Sequence, residues 1–135
     1  MYRVPPLLPQ LLLISFLIAG LLHPCHGDFG TASKYGPPYV PTACYGSDTS
    51  VFPSNNLFAS AGDSIWDNDA ACGRQYMVRC LSAAVPGICL NASIEIQILD
   101  YAGDGVSNTM VLSETAFATI ADPNAQSINI EFQQL

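Results

Sequence analysis

Basic groups are scarce in this 135-residue chain: four Lys and Arg stand against eleven Asp and Glu. Its two histidines, His23 and His26, both fall in the first 27 residues, as does one of its five cysteines, Cys25. That opening segment is unlike the rest. Arg3 is its only charge, and "LLLISFLIAGLL" from Leu11 to Leu22 is an unbroken apolar run followed by "HPCHG". A positive start, a short apolar core and small residues before a break describe a secretory signal peptide. Cleavage after Gly27 places Cys25 and Gly27 at the −3 and −1 positions. The run is short of the ~20 apolar residues that a membrane span needs. The expected organisation is a signal peptide over 1–27 and one secreted domain over 28–135.

Loss of that segment removes all histidine. A Ser-His-Asp or Cys-His machine is then excluded, and so are His-rich zinc sites. Cys44, Cys72, Cys80 and Cys89 remain, at spacings of 28, 8 and 9 residues. These lack the short paired knuckles of structural zinc sites and the C-x-x-C of a redox couple. An even set in a secreted chain of this size reads as a disulfide framework, with three connectivities open.

All eleven acids lie after Gly27, against Lys34, Arg74 and Arg79, for a net charge of −8. Such a surface repels nucleic acid, anionic membrane and acidic pectin. It favours a neutral polysaccharide, a cationic partner or a protein receptor, and it also serves solubility.

Repeats and low-complexity linkers are absent, and the length suits one domain. Residues 30–62 are rich in Gly, Pro, Ser and Asn. Pro37, Pro38, Pro41 and Pro53 favour extended or turn backbone there. Further on, "RQYMVRCL", "SIEIQIL" and "SINIEFQ" alternate apolar with polar residues and predict half-buried strands, and "TMVLS" predicts a fourth. "SETAFATIA" predicts a helix capped by Ser113, with an apolar face of Ala116, Phe117, Ile120 and Ala121 and a stop at Pro123. Short strands with one short helix suggest a small closed β-barrel. Asn91-Ala92-Ser93 is an N-glycosylation sequon at a loop. Asp63, Asp67 and Asp69 cluster, but without the Gly and Glu of an EF-hand. Asp63 as a helix cap and Asn68-Asp69 as turn formers are the expected roles. Trp66 is expected in the core, and Arg74 and Arg79 in surface ion pairs.

"YGPPYVPTACYG", "NNLFASAGDSIWDNDAACGRQYMVRC" and "TMVLSETAFATIADPNAQSINIEF" together resemble the plant EG45-like domain proteins. That group includes the plant natriuretic peptides and blight-associated protein p12. The resemblance covers nearly the whole secreted domain. It implies a mainly β fold, the six-stranded double-psi β-barrel of the expansin first domain, barwin and the family-45 endoglucanases, with one or two short helices. It also implies pairing of Cys44 with Cys72 and of Cys80 with Cys89. The third bridge of expansins is absent, because Gln75 stands at its first position.

The same resemblance locates a groove. Asp100 matches an aspartate that the superfamily keeps there, Tyr35 a groove tyrosine, and Ser33 an expansin threonine. The residue types that would do chemistry are missing. Val111 stands at the acid position, and Pro37 stands two residues after Tyr35, at the endoglucanase base. A strand-end turn role for Asp100 and a core or rim role for Tyr35 are the plainer alternatives. No catalytic residue, cofactor or metal is expected. The implied function is a secreted, non-enzymatic apoplastic protein acting in water and solute homeostasis through a cell-surface receptor, with the stretch from about Tyr35 to Arg74 as its active segment. The alternatives are a neutral cell-wall polysaccharide-binding module and a weakly lytic enzyme. The protein is expected as a monomer, with no nucleic-acid partner and no membrane association after signal cleavage.

Overall fold

A computed structural model describes residues 27–135. The signal-peptide expectation, with His23, Cys25 and His26, lies outside the described residues apart from Gly27. Six strands close into one barrel: β1 (Asp28–Tyr35), β2 (Phe58–Ala61), β3 (Gln75–Ser82), β4 (Ser93–Tyr101), β5 (Met110–Ser113) and β6 (Ile128–Gln134). Their order around the barrel is β1-β5-β2-β4-β3-β6. β1 runs parallel to β5 and β2 parallel to β4, while the other four contacts are antiparallel. This is the mainly β, six-stranded double-psi architecture.

Alternation drives three of the strands. Tyr76, Val78 and Cys80 in β3, Ile94, Ile96 and Ile98 in β4, and Ile128, Ile130 and Phe132 in β6 are buried. Gln75, Arg79, Glu95, Asn129 and Gln133 between them are exposed. β1 and β2 carry no such pattern; β2 falls inside the stretch read as extended or turn backbone, and β1 overlaps its start. Their inward residues are small. Ala32 pairs with Met110, Ala59 with Leu112 and Ala61 with Met110, so alanines on the flanking strands make room for the large side chains of β5.

Two helices pack on the barrel. α1 (Asp63–Trp66) is a single turn whose cap is Gly62, without a side-chain capping bond. Asp63 is therefore the first helical residue and not the expected cap. Position 62 must be glycine, because a Cβ there would sit 1.9 Å from the Asn108 carbonyl oxygen. α2 (Glu114–Ile120) starts where the sequence places it. The Ser113 hydroxyl accepts from the Ala116 N–H at 3.1 Å, and Ala116, Phe117 and Ile120 are buried.

Cys44 is joined to Cys72 and Cys80 to Cys89, with Cα separations of 5.5 and 5.3 Å. The first bridge ties the long β1–β2 connection, residues 36–57, to the segment before β3. The second pins the β3–β4 connection. Among the described residues, no helix is long and apolar enough to cross a membrane.

Candidate groove on the outer face of the barrel

Strand register assembles the groove. Ser33 on β1 pairs with Val111 on β5, Val111 with Ser60 on β2, and Ser60 with Asp100 on β4. Directly paired residues share a face of the sheet. The neighbours Ala32, Ala59, Ala61, Met110 and Leu112 point into the core. Ser33, Val111, Ser60 and Asp100 thus form one row across the outside of four strands. Tyr35, two residues beyond Ser33, lies on the same side.

A bulge puts Asp100 in that row. Ala59 pairs with Ile98, but the next residue, Ser60, pairs with Asp100, so Leu99 is an extra residue on β4. In a regular ladder Leu99 would pair with Ser60 and Asp100 would face the core. Leu99 is fully buried, which turns the carboxylate outward.

The row is partly covered. Tyr35 meets the ring of Tyr39 edge-on at 5.0 Å and that of Phe58 at 6.3 Å. Tyr39 and Phe52 contact Phe58 at 4.8 and 4.9 Å. This cluster seats the 36–57 connection on the sheet. The Tyr35 hydroxyl is buried without a hydrogen-bond partner. The Ser60 hydroxyl is close enough to influence it, but outside hydrogen-bond geometry. Burial is the chief cause that pushes the Tyr35 phenol up to about 12. Ser60 opposes the shift, while Asp100 and Tyr39 add to it. A buried donor left unmade costs on the order of 1–3 kcal/mol.

Asp100 is half-buried and already engaged. Its Oδ1 accepts from the Ala43 N–H at 2.7 Å and from the Tyr101 N–H at 2.8 Å. It therefore does the backbone-capping work of a strand-end residue while facing the groove. Among the described residues, its Oδ2 makes no protein hydrogen bond. Val111 is half-buried within the row and Pro37 is exposed beyond it. The row holds a single carboxylate.

The other sequence candidates lie elsewhere. Tyr101 donates to Asp63 and contacts Asp104 at 2.8 Å, and Asp67 pairs with Arg74 at 2.9 Å. The two carboxylates hold the Tyr101 phenol above its ordinary range, Asp63 most strongly. Trp66 is half-buried, not fully in the core, and stacks on Tyr101 at 4.8 Å. Asp63, Trp66, Asp67, Asn68, Tyr101 and Asp104 line a cavity of about 410 Å³. Asp67, Asn68 and Asp69 all have positive φ and form the turn after α1. Arg79 pairs with Glu131 at 2.7 Å. Among the described residues, no cluster of His, Cys, Asp or Glu is disposed to hold a metal. Asn91 is exposed, two residues before β4. Sequence reasoning missed Ser60, Tyr39 and the Leu99 bulge. "FASA" gave no signal for Ser60, and the run Ile98-Leu99 was the one available sign of broken alternation.

A family model described as lytic transglycolase matches residues 58–132. An EG45-like domain containing protein of Citrus jambhiri is 39% identical over 108 residues, covering 78% of this chain and 79% of the relative. EG45-like domain containing protein 2 of Arabidopsis thaliana is 30% identical over 105 residues, covering 76% and 77%. Among solved structures, a variant expansin of Clavibacter michiganensis in complex with cellohexaose is similar with a TM-score of 0.62 at 20% identity. The match covers 79% of this chain and 49% of the expansin, so the chain spans about half of that protein.

Proposed function

The chain belongs to the EG45-like domain proteins, with an expansin-like barrel, and from that premise we propose that it is a secreted, non-catalytic protein of the apoplast. The row Ser33–Val111–Ser60–Asp100 carries the non-catalytic part. Hydrolysis of a glycosidic bond by acid and base needs two carboxylates, and this row offers one. Val111 has no proton to give, and Pro37 cannot activate water. The lytic transglycolase description would still need one general acid. The oxygen of Asp100 best fixed in space, Oδ1, is taken by two backbone N–H groups. Purified protein should release no soluble or reducing ends from cellulose, xyloglucan or peptidoglycan. Turnover abolished by Asp100→Ala would overturn this reading.

Signalling is the leading role. The resemblance assigns activity to the stretch from about Tyr35 to Arg74. Here that stretch holds the buried strand β2 and the 36–57 connection, whose exposed residues 45–50 and 54–56 are pinned by Cys44–Cys72 and the ring cluster. A surface loop held in one shape suits recognition by a cell-surface receptor, because little ordering entropy is lost on binding. Action on water and solute homeostasis follows from the resemblance. The test is water uptake by plant cells exposed to the oxidised protein and to a Cys44→Ser, Cys72→Ser variant. Equal responses would count against a shape-dependent receptor.

A second reading, binding of a neutral cell-wall polysaccharide, is favoured by the Tyr35 hydroxyl without a partner and by Asp100 Oδ2 beside the same row. Retention on cellulose or xyloglucan, lost in Asp100→Ala, tests it.

A further inference from the structure

The end of the barrel around Cys80–Cys89 differs from the rest of this acidic chain. Residues 81–94 and 123–130 carry no charged side chain. Large apolar side chains face solvent there: Val85 is 62% exposed, Leu90 46% and Leu81 37%. Leu81 and Leu90 adjoin the two bridged cysteines, and Val85 lies in the loop between them. Leu81 is also the extra residue of a bulge, since Cys80 pairs with Ile130 and Ser82 with Asn129. Ala84, Val85, Ile88 and Ala125, with the amides of Asn124 and Gln126, line a cavity of about 390 Å³. A contiguous apolar surface left bare invites association.

The sequon Asn91-Ala92-Ser93 lies at the same end. Asn91 is exposed and follows Leu90. Its backbone is the middle of a tight turn, in which the Ala92 N–H donates to the Leu90 carbonyl at 2.9 Å. The segment before it is anchored. The Leu90 N–H donates to the Ile120 carbonyl at 2.9 Å, the Ile88 carbonyl accepts from the Asp122 N–H at 2.8 Å, and Cys89 is bridged to Cys80. Ser93 pairs with Arg79, and Asn91 and Leu81 each lie two residues beyond that pair, at one end of the ladder. Ile88, in the cavity wall, is three residues from Asn91, at most about 11 Å of chain. Whatever is attached to Asn91 starts from a fixed point beside the apolar surface.

We propose that Asn91 carries an N-linked oligosaccharide in the secreted protein, and that its first sugars lie over Val85, Leu90 and the cavity beside them. Attachment joins Asn91 Nδ2 to C1 of the first sugar. The C1–O bond to a lipid diphosphate donor breaks, the diphosphate leaves, and one amide proton is released. Sugar rings present apolar C–H faces and hydroxyls together. The C–H faces suit Val85 and Leu90, and the hydroxyls suit the amides of Asn124 and Gln126. No charged residue of the two segments has to be desolvated. A bulky chain rooted at Asn91 stands in the way of a protein partner, so the glycan itself is the occupant. The site rests on the secreted reading above, because the modification is made in the secretory pathway; it owes nothing to the groove.

Expression in plant cells and mass mapping of the protein from the medium test the site. Asn91 should carry the chain, and Asn91→Gln and Ser93→Ala should each lose it. Protein in the medium with Asn91 unmodified overturns the glycan and leaves secretion standing. Protein found in the cytosol overturns the secreted reading and the glycan with it. The cover is measured separately. Asn91→Gln and Ser93→Ala should bind a hydrophobic dye several-fold more than the wild type. Removing the chain from the folded wild type with a peptide N-glycanase should do the same, free of any folding defect. Adding Val85→Ser and Leu90→Ser to Asn91→Gln should return dye binding to the wild-type level. Equal dye binding before and after removal of the chain overturns the cover. Self-association of the glycosylated wild type, lost in Val85→Ser, also overturns it and assigns the patch to a second copy.

Discussion

Tyr35→Phe removes one oxygen from the groove and leaves the ring in place. In the wild type that oxygen is buried and makes no hydrogen bond. An unmade buried donor costs about 1–3 kcal/mol. The nearby Ser60 hydroxyl softens the penalty, so a gain of about 1 kcal/mol is the working figure. For a domain of roughly this size, 1 kcal/mol moves Tm by about 4–8 °C. Scanning calorimetry at neutral pH should therefore show the variant melting about 4 °C or more above the wild type. The sign decides the matter, since losing a satisfied hydroxyl costs about 0.5–1.5 kcal/mol. The alkaline limb gives a second reading. Burial pushes the folded-state phenol up to about 12, above its ordinary value of 10. Between pH 10 and 12 the unfolded chain loses this proton while the folded chain keeps it. The contribution is thus complete below pH 10 and is lost as pH rises through about 12. Tyr35→Phe should lose less stability across that window. A lower Tm with an unchanged alkaline slope would refute the reasoning and assign the hydroxyl a partner.

Asp100→Ala should cost about 1–3 kcal/mol, because it removes the charged acceptor of the exposed Ala43 N–H and the half-buried Tyr101 N–H, whereas Asp100→Asn keeps an acceptor oxygen and should cost less than half of that; equal losses in a denaturant titration would contradict this role of Asp100. Ser113→Ala removes the α2 cap and strands the Asn56 carbonyl that the hydroxyl bonds at 2.6 Å. A loss of about 2–3 kcal/mol is expected on thermal unfolding, and one below about 0.5 would show that the helix start is held some other way. Val111→Asp places a second carboxylate in the row, yet it should release no reducing ends from cellulose, because Pro37 supplies no base and Asp100 Oδ1 is engaged by two backbone N–H groups; turnover by this variant would show that Asp100 can serve as the second carboxylate.

What could be read in the sequence follows from how each element buries its surface. β3, β4 and β6 have one wet face, so the period-2 pattern is written in large side chains. α2 is announced by its cap, its apolar face and its stop. β1 and β2 are invisible because their inward residues, Ala32, Ala59 and Ala61, are small enough to fit against Met110 and Leu112. Their neighbours are Ser, Thr and Gly, which read as loop. The family resemblance singled out Tyr35, Ser33 and Asp100, but the sequence alone could not bring them together. That takes the register β1-β5-β2-β4, a property of pairing between residues as far apart as Ser33 and Val111. Trp66 and Asp63 were misplaced for one reason: α1 is a single turn at the surface, capped by a glycine that the Asn108 backbone requires.

Asp100 has a structural role that does not depend on any chemistry in the row. Its outward aim depends on Leu99, the extra residue buried in the bulge, and its Oδ1 fastens the 36–57 connection through Ala43. Removing the carboxylate would therefore loosen the loop that carries Cys44, Tyr39 and Phe52, whatever the groove binds. Tyr35 is in the opposite position. Its ring supports the same loop, but its hydroxyl is buried without a hydrogen-bond partner. A residue held for structure alone would be better as phenylalanine. On the polysaccharide reading proposed above, the hydroxyl of Tyr35 is therefore the sharper probe: Tyr35→Phe should lower retention on cellulose without lowering Tm, whereas Asp100→Ala should lower both.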